Sequence, residues 1–188
     1  MEILIITGPP YSGKGTQCNV LKELLGFEHI STGDKCRDEK QNGTEIGKIM
    51  SAYEEKGDLV PDSIMKDLFS KILDDNKSKV GIILDGYPRT KSQVDDLIEL
   101  VKSKHMEIGK VINIDVPKSE LLIRAKKRAE TSNRKDDKDP QIHIKRIEVF
   151  EESTRPAIEY MKSKIKVLTF DGLGTIDEIT ERIKDCLI

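Results

Sequence analysis

The chain has 188 residues, 36% hydrophobic and 35% charged, with 32 Lys and Arg against 34 Asp and Glu. That length suffices for one domain with a sizeable core, and the near balance of charge argues against a dedicated nucleic-acid or membrane-surface binder. Three widely spaced cysteines (Cys18, Cys36 and Cys186), with no C-x-x-C pair, argue against a disulfide framework or a zinc site and for a reducing, cytoplasmic setting, and no stretch is long and apolar enough for a signal sequence or membrane span.

Residues 3–6 form an unbroken apolar run, the mark of a strand buried on both faces. A glycine-rich loop follows and opens a helix. A shorter, weaker strand at residues 27–30 leads into Ser31-Thr32-Gly33-Asp34. Residues 31–60 are mostly polar, with Gly33, Gly43, Gly47 and Gly57 as hinge candidates. Apolar runs recur at residues 80–84, which meet Asp85-Gly86, at 111–116 and at 167–170. Between the last two, residues 126–140 are dense in charge, with Asn133 and the acidic residues at 136, 137 and 139 inviting turns. Composition leaves both polar stretches open to two readings, mobile covers over a site or solvated surface. At the end of the chain Ile176, Ile179, Ile183 and Leu187 fall at helical spacing, and Thr175 and Glu178 have the spacing of a capping box.

Strands alternating with helices imply βαβ units and a parallel sheet covered on both faces. Ligands bind such sheets at the carboxyl ends of strands, near a topological switch point. Gly8, the Ser31–Asp34 segment and Asp85-Gly86 all follow predicted strands.

The run Gly8-Pro9-Pro10-Tyr11-Ser12-Gly13-Lys14-Gly15-Thr16 meets the G-x-x-x-x-G-K part of the phosphate-loop pattern. Glycines let backbone N–H groups turn inward around an anion, the helix N-terminus adds unpaired donors, and Lys14 supplies a full charge. The generic pattern places Ser or Thr directly after Lys, whereas here Gly15 intervenes and Thr16 carries the hydroxyl. The pattern by itself indicates nucleotide-phosphate binding, not a reaction.

The order G-K-G-T-Q at residues 13–17 resembles the phosphate loop of nucleoside monophosphate kinases, and of adenylate kinases in particular. The resemblance continues in order along essentially the whole chain. Thr32 and Arg37 lie in a segment similar to the family's first acceptor-binding segment, and Asp58-Leu59-Val60 resembles the backbone that lies along the adenine of AMP. Asp85-Gly86-Tyr87-Pro88-Arg89, with Gln93 beyond, is similar to the D-G-[FY]-P-R…Q element. Arg128, Arg134, Asp136-Asp137 and Arg146 resemble the lid and its flanks, and Gly174 sits where the family sets backbone near the ATP adenine.

The resemblance implies a P-loop NTPase-type α/β/α fold of three layers on a five-stranded parallel sheet. It implies a core of residues 1–30, 61–126 and 139–188, an NMP-binding subdomain at 31–60 and a short lid at 127–138. It also implies Mg-dependent, direct in-line transfer of the terminal phosphate of ATP to AMP, giving two ADP; separately, no apolar surface stripe in the sequence invites an obligate dimer, so a monomer is expected. Residues 11–16, Arg128 and Gly174 would bind ATP. Thr32, Arg37, residues 58–60, residues 86–89, Gln93, Arg134 and Arg146 would bind AMP. Lys14, Arg89, Arg128, Arg134 and Arg146 would be catalytic, and Asp85 with Thr16 would hold Mg²⁺ mainly through water. This division suits phosphoryl transfer, where the acceptor oxygen is already anionic and catalysis is mainly positioning plus charge stabilisation. Arginine forks hold phosphate oxygens bidentately.

Two departures stand out. The family usually has Gly where this chain has Tyr11, and the interval from Arg134 to Arg146 is one residue longer than the family spacing, with an insertion around residues 138–140. Between Arg128 and Arg146 there is no Cys, and His143 is the only His, so the zinc-binding lid of some relatives is excluded. The rival readings are a UMP/CMP kinase of the same fold, which tends to have Ala at the position of Thr32 and Asn directly after the D-G-F-P-R element, and a weakly catalytic adenine-nucleotide sensor. Thr32, Thr90 and Gln93 favour AMP over the first, and the full arginine set argues against the second. GTP in place of ATP stays open, because backbone contacts would read the donor base.

Overall fold

The computed structural model describes residues 1–132 and 137–187. Its strands are β1 (Glu2–Thr7), β2 (Glu28–Ser31), β3 (Gly81–Asp85), β4 (Glu107–Asp115) and β5 (Val167–Asp171). They form one parallel sheet in the order β2-β3-β1-β4-β5. The apolar runs explain it: β1 occupies the centre, and its successive side chains feed opposite faces.

Ile3 and Ile5 join one core cluster with residues of α4 (Asp62–Asp75), α5 (Lys91–Ser103) and α8 (Arg155–Lys162). Leu4 and Ile6 join another with Cys18 and Leu21 of α1 (Lys14–Leu25) and Ile179 and Ile183 of α9 (Ile176–Lys184). These are the three expected layers. Thr175 and Glu178 form the capping box at the start of α9, each side chain accepting from the other's backbone N–H.

Three details depart from the reading of the sequence. Val80 is 77% exposed and lies outside β3, so the apolar run overstates the strand by one residue. β4 starts earlier than its apolar run, because residues 107–110 alternate exposed and half-buried beside β1. β5 is an edge strand, partnered among the described residues by β4 alone, and is half-exposed along its length.

The polar residues 31–60 hold two helices, α2 (Thr32–Gln41) and α3 (Glu45–Glu54), whose Cys36 and Met50 reach the first core cluster. Gly47 is a packing residue here rather than a hinge. A Cβ on it would lie 2.2 Å from the Glu39 carbonyl oxygen, so the helices approach closely only because the side chain is missing. Farther on, α6 (Lys118–Thr131) runs up one wall, and α7 (Pro140–Val149) passes through a π-helical turn at Phe150–Thr154 into α8. Arg134 and Asp136 lie outside the described residues.

Candidate active site

The chain leaves β1 at the centre of the sheet and next builds β2, two places away. β4 is then added on the opposite side of β1. The topological switch therefore lies at the carboxyl end of β1, and a cleft of about 560 Å³ opens there.

Its floor is the glycine loop. Gly8 has φ of 140°, and a Cβ on it would fall 2.3 Å from the carbonyl oxygen of Ile114 in β4, so the loop leaves the sheet only as glycine. Gly13 caps α1 in the left-handed region, with φ of 92°. Among the described residues no side chain caps this N-terminus, so its backbone donors are available to an anion, where the helix dipole also favours negative charge. Lys14, the first helical residue, folds back and donates from Nζ to the carbonyl oxygens of Gly8 at 2.8 Å and Pro9 at 2.7 Å. Removal from water lowers its pKa to about 8, although the neighbouring Asp85 carboxylate favours the charged form. Ser12 is buried, and its hydroxyl has no hydrogen-bond partner among the described residues.

The second wall comes from β2, α2 and the end of β3. Thr32 Oγ1 lies within donating distance of the carbonyl oxygens of Asp85, at 3.0 Å, and Gly86, at 3.1 Å. Arg89 donates from Nε to the Gly86 carbonyl at 2.5 Å and from Nη2 to the Thr32 hydroxyl at 3.2 Å, which fixes its guanidinium at the cleft edge. Arg37 also lines the cleft and pairs with Asp34. Asp58 and Leu59 close this side, and Asp58 reaches Lys145 of α7 at 2.7 Å.

The third wall centres on Asp137, whose side chain is fully buried. Its carboxylate accepts from Arg128 Nε at 2.8 Å, Ser132 Oγ at 2.7 Å and Arg146 Nη1 at 3.2 Å. Burial works against its ionisation, but the Ser132 hydroxyl and the Arg128 and Arg146 guanidinia outweigh that and hold it below the usual carboxylate range. Both arginines line the cleft.

Tyr11 leans from the floor to this wall. Its ring packs against Val116, Leu121 and Ile147, with the Arg128 guanidinium 5.7 Å from the ring centre. Its backbone has φ of 68°, the conformation for which glycine is the ordinary choice.

Asp85 and Thr16 fit the magnesium expected of this site. Asp85 lines the cleft with a side chain 13% exposed, and its Oδ2 lies 3.6 Å from where a Cβ on Gly15 would stand. Thr16 is exposed on the same floor. Both are hard oxygen donors, suited to an ion that keeps several waters.

A second cavity of about 350 Å³ adjoins the loop between α6 and α9. It is lined by Ser12, Gly13, Thr16, Gly174 and the exposed Ile176, among others.

Most of the site residues read from the sequence thus converge, Pro88 included, but some stand back. Tyr87 is buried, its ring stacked on Phe69 at 3.6 Å. Val60 is buried in the same core cluster. Gln93 is buried behind Arg89: its Oε1 accepts from the Arg89 backbone N–H at 2.8 Å and its Nε2 donates to Asp62 at 2.7 Å. A base edge would compete with Asp62 for that amide. Arg134 lies outside the described residues.

Two residues escaped the sequence reading. Arg124 donates to the carbonyls of Gly172 at 2.9 Å and Ser12 at 3.4 Å and lines both cavities. Its spacing of four from Arg128, one turn along a helix, was the available signal. His143 is buried and binds Tyr11, across 132 positions of sequence, which no local pattern reveals.

The adenylate kinase family model matches residues 6–166. The adenylate kinase of Bacteroides fragilis is 41% identical over 180 residues, covering 96% of this chain and 95% of the relative. That of Bacteroides thetaiotaomicron is 39% identical over 176 residues, 94% of this chain and 93% of the relative. That of Leptospira biflexa is 39% identical over 183 residues, 97% of this chain and 98% of the relative.

Proposed function

The chain belongs to the adenylate kinase family and is an ATP:AMP phosphotransferase, and we propose that its cleft joins the two nucleotides between the loop at residues 8–16 and the guanidinium of Arg89. The observation that carries the reading is the meeting of Lys14, Arg89, Arg128 and Arg146 in one cavity at the carboxyl ends of β1 and β3.

In this reading Lys14 turns from the loop carbonyls to the donor phosphates, and the N–H groups opening α1 hold the same anion. Arg37 and Arg89 hold the acceptor phosphate. Arg128 and Arg146, aimed by the Asp137 carboxylate, neutralise charge on the group in transfer. Arg134 joins them. Magnesium would supply charge neutralisation and alignment of the donor phosphates, with Asp85 and Thr16 orienting its waters. The adenine of ATP occupies the cavity beside Gly174 and Ile176, and that of AMP lies along residues 58–60. Residues 31–60 and 127–138 act as covers that exclude water, which would otherwise hydrolyse ATP.

The protein works as a monomer in the cytoplasm. Its exposed large hydrophobic residues are spread over several elements, with Ile123 and Ile176 meeting at the second cavity, and among the described residues no helix is long and apolar enough to cross a membrane.

The test is turnover of purified protein with Mg-ATP and AMP, CMP, UMP, GMP or dAMP in turn. Diphosphate formation fastest with AMP is expected. Fast turnover with CMP or UMP but not AMP would defeat the acceptor assignment, and tight ATP binding without turnover would favour a sensor.

A further inference from the structure

Beneath the cleft floor three side chains of different chemistry meet. Cys18 of α1, His29 of β2 and Asp85 at the end of β3 place one ligand atom each within 4.8 Å of the others. His29 Nε2 lies 3.4 Å from Asp85 Oδ2. Cys18 is fully buried, and the side chains of His29 and Asp85 are 13% exposed. All three sit on rigid elements. Ser31 pairs with Asp85 across the sheet, and His29, two residues earlier, shares its face.

The hydrogen bonding leaves a gap at the centre. His29 Nδ1 lies 3.1 Å from Asn19 Oδ1, an amide oxygen that only accepts, so Nδ1 carries the proton. In the neutral ring Nε2 then presents a lone pair. That atom is buried without a hydrogen-bond partner among the described residues and faces a carboxylate oxygen. Two acceptors facing each other out of water are unfavourable, and either a proton on Nε2, which makes the 3.4 Å approach an ion pair, or a metal cation between the two atoms removes the conflict. The donor set of one sulfur, one imidazole nitrogen and one carboxylate oxygen suits a borderline-soft, tetrahedral ion of the zinc type, whereas magnesium requires oxygen. Asn19, His29 and Asp85 line the cleft, which supplies an entry path and an open fourth position for water.

We propose that Cys18, His29 and Asp85 form a reversible site for one thiophilic divalent cation, and that filling it withdraws Asp85 from the magnesium nucleotide and slows phosphoryl transfer. On binding, the Cys18 thiol gives its proton to solvent as Sγ takes the metal, and no redox change occurs. The metal site stands on geometry alone. Only its effect on turnover rests on the role proposed above for Asp85.

The test is a titration of the metal-free full chain with Co²⁺, followed by absorbance, then displacement by Zn²⁺. One equivalent should give a thiolate-to-cobalt charge-transfer band in the near ultraviolet, lost in Cys18→Ser and in Cys18→Ala, and unchanged in Cys186→Ser. Circular dichroism checks that the variants are folded. His29→Gln should weaken binding at least about tenfold. No thiolate band in the wild-type chain, or a band that survives in both Cys18 variants, would overturn the site. In parallel, Zn²⁺ should inhibit Mg-ATP turnover of the wild-type chain and not of Cys18→Ala. Stoichiometric Zn²⁺ binding without inhibition would overturn the coupling to Asp85. Absence of AMP phosphorylation in a chain that still shows the cobalt band would instead count against the proposed function.

Discussion

The hydroxyl of Tyr11 lies 2.5 Å from Nδ1 of His143. The opposite ring nitrogen of His143, Nε2, is 2.8 Å from the backbone carbonyl oxygen of Asp137, so Nε2 must donate and Nδ1 accept from the tyrosine. Arg146 Nη1 approaches the same hydroxyl at 3.4 Å. A residue of the glycine loop is thereby tied to α7 and, through it, to Asp137. A double-mutant cycle with Tyr11→Phe and His143→Gln, read by urea denaturation, should show a coupling of about 1 kcal/mol. A coupling indistinguishable from zero would remove the contact from the account.

The backbone of Tyr11 supplies a separate test. Tyr11→Ala and Tyr11→Gly both lose the ring and its hydroxyl, but only glycine is at ease at φ of 68°. Tyr11→Gly should therefore be the more stable of the two by about 1 kcal/mol. Equal denaturation midpoints would mean that the loop relaxes out of the left-handed region.

Lys14 links binding to protons. Burial lowers its pKa to about 8, and a bound phosphate would raise it. ATP binding at pH 8.5 should take up protons, seen as binding heats that differ between buffers of unlike ionisation enthalpy. The folded state holds fewer protons than the unfolded chain between about 8 and the ordinary 10.5. Stability from this residue therefore rises with pH across that window. Lys14→Met should flatten that rise while abolishing turnover, and an unchanged slope would contradict the shift.

Asp137→Asn keeps the shape of the buried carboxylate and removes its charge. Arg128 and Arg146 then face an amide, at a cost of about 2 kcal/mol at neutral pH, the low side for a buried partner because the guanidinia are partly exposed. The wild-type carboxyl titrates below its ordinary 3.8, so its contribution is complete above that value and fades as pH falls through the lowered one. Urea midpoints of the two proteins should differ at pH 7 and converge in acid.

Gly86 has φ of 82°, and a Cβ there would stand 2.7 Å from Thr32 Oγ1 and 2.8 Å from Arg89 Nη2. Gly86→Ala should dislodge the Arg89 guanidinium and raise the KM for AMP at least about tenfold, with ATP affinity little changed. A loss confined to ATP would place Arg89 on the wrong substrate.

What the sequence disclosed follows the range of the forces involved. The strands, the glycine loop, the capping box at Thr175 and the placement of Asp85 are written in contiguous patterns, and each is found in the structure. The D-G-Y-P-R element was legible as a unit but not in its orientations. Gly86 and Arg89 face the cleft while Tyr87 turns into the core against Phe69, a choice made by packing from a distant helix. His143 read as a solitary histidine, and its partner was decided by the fold. Cys18 read only as one of three widely spaced cysteines, and its neighbours His29 and Asp85 arrive from strands β2 and β3.

Helix α7 presents three neighbouring side chains to three different sides of the cleft. His143 holds Tyr11 of the cleft floor, Lys145 holds Asp58 of the second wall, and Arg146 holds Asp137 of the third while lying against Gly57. Release of any one contact relieves a shared helix of one restraint and so changes the free energy of releasing the others. By thermodynamic reciprocity, a donor nucleotide that loosens α7 from Tyr11 alters the affinity for acceptor by the same factor that acceptor alters the affinity for donor.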